Sequence, residues 1–175
     1  MYRFDSNVKE EEYIKFIKAY NNTPITQELN WAKVKNNWEH TICGLYEDDE
    51  LVAAALLLIK TSFKVKLIYS PHGFLINYED MEVLKEFIKG IRDYAKNKKA
   101  FVVKIDPLIA INEYPVDNRE IPINFSVNHK AKIKNIEECG FIHKGYKKDM
   151  HSYIQPRFNM SVPLIDENNK PITKE

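Results

Sequence analysis

No stretch of apolar residues in this sequence approaches the roughly 18 that a membrane-spanning helix needs. The longest, Leu51 to Ile59, has the length of a strand. Cysteine is scarce: Cys43 and Cys139 stand far apart in apolar settings. With no signal peptide legible at the N-terminus, both are expected as reduced core thiols in a cytoplasmic protein. Net charge is nearly absent, 26 basic against 25 acidic residues. That balance speaks against a dedicated nucleic-acid binder, which carries a clear basic excess. The basic clusters at Lys96/Lys98/Lys99, Lys130/Lys132/Lys134 and Lys144/Lys147/Lys148 read as solvated faces. The five histidines show no metal-ligand spacing, so no metal is expected. Repeats and low-complexity segments are missing too.

What is present suits one ordinary soluble domain: 175 residues, 44% hydrophobic and 29% charged. The organising stretch is Ala100 to Pro107, Ala-Phe-Val-Val-Lys-Ile-Asp-Pro. Four of its first five side chains are apolar, with β-branched valines in the middle. This predicts a strand buried on both faces at the centre of a sheet. Pro107 has no amide hydrogen for a ladder, so pairing should stop there. Asp106 then stands at the carboxyl end of a central strand, where open α/β sheets place their ligands. An aspartate in that position equally caps a turn or pairs with Lys104.

Along the chain, Tyr2 to Phe4 reads as a short opening strand. From Lys9, the residues Tyr13, Ile14, Phe16, Ile17 and Tyr20 follow helical spacing, with Ser6 or Asn7 as the cap. Glu10, Glu11 and Glu12 fall in the first turn, where the helix dipole favours acids. A shorter helix fits Gln27 to Lys35, with Leu29, Trp31 and Ala32 facing inward. Three strands follow, His40 to Tyr46, Leu51 to Lys60 and Val65 to Tyr69, and Ser70-Pro71-His72-Gly73 stops the last. Glu79 to Asn97 is the strongest helix, with Leu84, Phe87, Ile88, Ile91, Tyr94 and Ala95 as a continuous apolar stripe. After the organising strand, residues 108–125 are irregular. Asn128 to Cys139 predicts a helix stopped by Gly140, and Phe141 to Lys147 and Met150 to Ile154 read as two further strands.

Tight turns make the three middle strands antiparallel, and the strand–helix–strand step into Ala100 should be a right-handed parallel crossover. The predicted class is α/β (α+β): a GNAT-like acyltransferase fold, with a mixed, mostly antiparallel central sheet flanked by helices.

Several stretches resemble one family within that fold. The segment Ile25 to Lys35, with Trp31, Val34 and Lys35, is similar to the "(S)xxWxxVK" segment of the Fem family of peptidoglycan bridge-forming aminoacyltransferases. Gly44-Leu45-Tyr46 with Leu51 to Leu58 matches its first hairpin. Tyr69 to Phe74, followed by Tyr78, resembles its "YxPRGPxxDY" turn. Phe101 to Pro107 is similar to its "KIDP" strand, and Gly140-Phe141 with Gln155-Pro156-Arg157 to its "GF…QPR" ending. Within the turn, His72 stands where the family has arginine and Phe74 where it has a second proline. A histidine is the weaker partner for an anion at neutral pH.

The resemblance implies an aminoacyltransferase that joins the amino acid of an aminoacyl-tRNA to the stem peptide of a UDP-linked or lipid-linked peptidoglycan precursor, without a cofactor. Family members use two GNAT-like subdomains. Residues 1–155 correspond to the first and 156–175 to a connector toward a second, absent from this sequence, through which aminoacyl-tRNA would be engaged. On this reading the isolated chain transfers nothing. The resemblance maps a substrate-phosphate lysine onto Lys35 and a substrate-contacting aspartate onto Asp106. Arg157 either meets a phosphate through its forked donors or marks the subdomain boundary. Two alternatives stay open: a non-catalytic nucleotide-sugar or precursor-binding module of the same lineage, and a CoA-dependent N-acetyltransferase. The second needs a glycine-rich pyrophosphate loop at a helix start, and residues 71–80 hold one glycine, Gly73.

Overall fold

The computed structural model describes residues 1–21, 23–115, 120, 124–125, 128–145 and 170. The backbone divides into two units, Met1–His143 and Lys144–Glu175. All the described helices and strands belong to the first. In chain order they are β1 (Tyr2–Asp5), α1 (Glu10–Ala19), a 3-10 turn (Ile25–Gln27), α2 (Leu29–Val34), β2 (Glu39–Glu47), β3 (Glu50–Ser62) and β4 (Val65–Ser70). Then come α3 (Met81–Asn97), β5 (Ala100–Ile105), the short pair β6 (Asn112–Glu113) and β7 (Asn124–Phe125), and α4 (His129–Glu138).

Strands β1 to β5 form one sheet in chain order. The first three pairings are antiparallel, and β4–β5, connected through α3, is parallel. The strand buried on both faces is β3. Ala53, Ala55, Leu57 and Ile59 point into the core beneath α3, with Leu84, Phe87, Ile88 and Ile91. Ala54, Leu56 and Leu58 point the other way, toward Tyr13 of α1 and Ala32 of α2. An unbroken apolar run is what a strand needs when each face meets a helical layer.

The same reasoning fails for β5. Among the described residues it pairs only with β4, at the edge of the sheet, and Phe101 is 83% exposed. A bulge explains the pattern. Lys66 lies opposite Ala100 but Leu67 lies opposite Val102, so Phe101 is an extra residue on β5. Ala100, Val103 and Ile105 pack against the core, while Phe101 and Val102 are exposed.

Helix starts are also set by tertiary demands. Neither Ser6 nor Asn7 caps α1. Lys9 holds that position without a side-chain bond, because the preceding residues are drawn onto the sheet. The Ser6 carbonyl accepts from Thr41, and the Val8 amide donates to the Ile42 carbonyl. Helix α3 begins at Met81, two residues later than expected, after the cap Asp80, whose Oδ1 accepts from the Glu82 and Val83 amides. Gly140, at φ +94°, stops α4 as predicted. Residues 141–145 carry no strand, and Phe141 packs on Phe74 instead. Tyr146, Lys147 and the expected strand Met150 to Ile154 lie outside the described residues.

Candidate functional site

Parallel β4 and β5 stay paired to their carboxyl ends, Tyr69 opposite Lys104 and Ser70 opposite Ile105. Asp106 is the next residue. Its Oδ2 accepts from the Tyr69 hydroxyl at 2.6 Å and its Oδ1 from the His72 backbone amide at 2.8 Å. Asp106 therefore braces the turn after β4. Lys104 does not pair with it; its ammonium lies over the Tyr69 ring, 4.7 Å from the centroid. Each carboxylate oxygen keeps a lone pair beyond these bonds, so Asp106 can still accept from a ligand donor.

On the other side of the turn, the β3–β4 ladder ends at the pair Leu58–Tyr69, and β3 next bridges to Leu75 through Ala54. Side chains fill the gap. The Leu56 amide donates to Gln27 Oε1 at 2.9 Å, and its carbonyl accepts from the Ser70 hydroxyl at 3.2 Å. Gln27 Nε2 donates to the Pro71 carbonyl at 2.7 Å and to Ser70 Oγ at 3.2 Å. The Tyr13 hydroxyl donates to the Gln27 carbonyl at 2.6 Å. Gln27 is fully buried, so it takes the place of a missing strand partner. A Cβ on Gly73 would lie 2.7 Å from Gln27 Nε2 and 2.8 Å from Ser70 Oγ. Only glycine fits there. Downstream, the Tyr78 hydroxyl accepts from the Phe74 amide and donates to the Phe74 carbonyl. Burial pushes that phenol's pKa up.

The His72 ring is tied to the same 3-10 segment. Its Nδ1 lies 3.0 Å from Thr26 Oγ1, which itself lies 3.1 Å from the Pro71 carbonyl. A carbonyl only accepts and a hydroxyl has one proton, so Thr26 donates to Pro71 and accepts from Nδ1–H. That assignment makes both contacts hydrogen bonds. His72 itself sits in the left-handed region, φ 51°.

Lys35 caps the carboxyl end of α2, half-buried, with its ammonium 5.3 Å from the Trp31 ring centroid. Helix α2 follows the 3-10 turn that carries Thr26 and Gln27, so the same segment that grips the turn beside Asp106 also delivers Lys35. No contact among the described residues joins Lys35 to Asp106. Arg157 lies outside the described residues. The bracing roles of Tyr69, Thr26 and Gln27 were not read from the sequence; Thr26 and Gln27 lie within the Ile25 to Lys35 segment that carries the resemblance. Among the described residues no three His, Cys, Asp or Glu side chains gather as a metal site. A shallow polar depression of about 530 Å³ lies elsewhere, between Ser6, Thr41 and the end of α3, and includes neither Lys35 nor Asp106.

Comparison with known proteins gives three findings. A model of the FemAB family matches residues 8–175. A lipid II:glycine glycyltransferase of Staphylococcus haemolyticus is 30% identical over 95% of this chain and 37% of its own length, and one from Staphylococcus aureus is 29% identical over 93% and 36%. The chain thus spans little more than a third of these curated relatives. The crystal structure of FemX matches with a TM-score of 0.68 at 29% identity, covering 89% of this chain and 36% of that one. A glucosamine-6-phosphate N-acetyltransferase from Arabidopsis thaliana matches at 14% identity with a TM-score of 0.50, covering 86% and 98%, a likeness of fold alone. The fold is GNAT-like, as the order of elements predicted.

Proposed function

Because this chain belongs to the FemAB family, we propose that it is the precursor-binding part of an aminoacyl-tRNA-dependent aminoacyltransferase that builds peptidoglycan cross-bridges. The amine of the stem peptide attacks the ester carbonyl of the aminoacyl-tRNA. A C–N bond forms, the C–O bond to the ribose breaks, and the amine's proton passes to the departing hydroxyl. The acyl group comes from the ester, so no cofactor takes part. A second GNAT-like subdomain, outside this sequence, completes the site. Residues 1–155 form the first subdomain and 156–175 lead toward the second.

The family match over residues 8–175 carries this reading. The relatives' printed name, lipid II:glycine glycyltransferase, supports the substrate class. In this account Lys35 meets the precursor's diphosphate as a point charge. Asp106, held by Tyr69 and His72, orients the incoming amine, and Arg157 adds a forked contact to phosphate. Catalysis is positioning of the amine against the ester. A coenzyme A reading finds less support. Gly73, the only glycine of residues 71–80, packs against Gln27 and Ser70, so it does not open its backbone to a pyrophosphate.

Calorimetric titration with the UDP-linked precursor tests the proposal. The parent chain should bind weakly, because part of a site supplies part of the contacts while the ligand still loses its rigid-body freedom. Lys35→Ala should weaken binding by about ten- to a hundredfold, the worth of a charge-assisted contact, and added salt should weaken the parent. Equal affinity of Lys35→Ala and parent would contradict the assignment. Transfer by this chain alone with aminoacyl-tRNA would contradict the need for a second subdomain. Binding without transfer even in the presence of the remaining subdomain would favour a non-catalytic precursor-binding module.

A further inference from the structure

The amino-terminal ends of β4 and β5 carry a surface that the candidate site does not use. Ser62 pairs with Val65, so Phe63 and Lys64 are the two central residues of the β3–β4 turn, at φ 47° and 69°. Such turns favour Asn-Gly, because both central residues sit in the left-handed region. Here the first is a phenylalanine, 99% exposed. It gives nothing to the core and holds an unfavourable backbone. Strain at an exposed aromatic points to use elsewhere.

The neighbourhood says what that use is. Lys66 lies opposite Ala100, which brings the α3–β5 turn beside the hairpin turn. The start of β5 adds Phe101, 83% exposed, and Val102, 44% exposed, while the start of β4 adds Val65, 48% exposed. Lys64 is the second residue of the hairpin turn, Lys66 the second of β4, and Lys99 immediately precedes β5, whereas Lys98 turns back over the Tyr94 ring, 5.5 Å from its centroid. The acid on the last turns of α3, Asp93, is already paired with Lys96 at 3.7 Å. In a chain of net charge +1, Lys64, Lys66 and Lys99 give the starts of β4 and β5 a local basic excess beside exposed apolar side chains.

We infer that this end of the sheet docks on an anionic lipid bilayer, with Phe63 entering the interface and the surrounding lysines meeting headgroup phosphates. Three features select this occupant. The surface is a convex tip rather than a groove, and a fluid interface needs no shape-matched pocket. Aromatic and apolar side chains flanked by lysines match the layered polarity of a membrane surface. Lysine stems lie along apolar groups while their ammonium heads stay at the phosphates. The six-residue length of β4 separates the patch from Asp106 by about 17–20 Å. The inference therefore stands apart from the proposed function and can be tested without touching the site.

Co-sedimentation of the 175-residue chain with vesicles decides it. Equimolar phosphatidylglycerol and phosphatidylcholine should carry the chain down, phosphatidylcholine alone should not, and raised salt should release it. Lys64→Gln and Lys99→Gln should each weaken binding by roughly fivefold, the share of one lysine near an anionic surface. Phe63→Asn should lose most binding while its thermal unfolding midpoint holds or rises. Phe101→Ser provides a second exposed variant. No sedimentation with phosphatidylglycerol, equal binding to both vesicle types, or parent-like binding by Phe63→Asn would each overturn the inference. Phe63-dependent self-association without lipid binding would also overturn it, identifying a second copy as the occupant.

Discussion

Gln27 shows how one buried polar side chain sets the geometry around Asp106. It answers the Leu56 amide where β4 leaves β3, and it holds the Pro71 carbonyl and Ser70 hydroxyl of the turn that Asp106 braces from the other side. Gln27→Leu fills a similar volume but leaves the Leu56 amide unpaired in the core. It should lower stability by about 1–3 kcal/mol in urea titrations, and precursor affinity should fall with it. A loss of stability without any loss of affinity would show that the turn is not part of the ligand site. Asp106 was legible in the sequence, because an apolar run ending in Asp-Pro announces the end of a strand. Gln27 was not. Its role exists only because β3 and β4, whose Leu56 and Ser70 lie 29 and 43 residues downstream of it, part at a particular pair, and no local pattern records that.

At the scale of elements, backbone propensity and packing disagree in two places, and each gives a test. Gly90 lies inside α3, where alanine ordinarily stabilises by about 1 kcal/mol. A Cβ there would lie 2.2 Å from the Phe4 ring of β1. Gly90→Ala should therefore destabilise, with a lowered urea midpoint, as β1 is pushed off the helix. At the β3–β4 turn the sign is reversed. Replacing Phe63-Lys64 by Asn-Gly relieves two left-handed residues and should raise stability by about 1–2 kcal/mol. The apolar stripe of α3 was readable from its spacing, and so were the antiparallel hairpins. The place of β5 was misread because its apolar run suggests burial on both faces, while only one face, that of Val103 and Ile105, meets the core and Val102 and the bulged Phe101 are exposed. Apolar content alone does not distinguish an edge strand with a bulge from a central strand. The true central strand, β3, had the longer apolar run.

For the whole molecule, two cores flank one sheet, and each encloses a titratable group. Burial pushes the Cys43 thiol and the Tyr13 phenol up. Burial, then the hydrogen bond with Glu12, pushes Tyr46 up to about 12. In the unfolded chain these groups lose their protons first, at their ordinary values of 9.0 and 10.0. Between the unfolded and folded values the folded state holds more protons, so stability falls as pH rises. The urea midpoint should decline progressively above about pH 9. A midpoint unchanged up to pH values where the tyrosines ionise would mean that these groups reach solvent.

The proposed function requires that one end of this sheet, gripped by the segment that also carries Lys35, receive the peptidoglycan precursor. Amide chemical-shift mapping of the 175-residue chain during titration with the UDP-linked precursor tests it most directly. Amides at Lys35, at the Ser70 to Gly73 turn and at Asp106 should be perturbed, with the changes lost in Lys35→Ala. Perturbations that gather away from both Lys35 and Asp106, or that persist unchanged in Lys35→Ala, would contradict it.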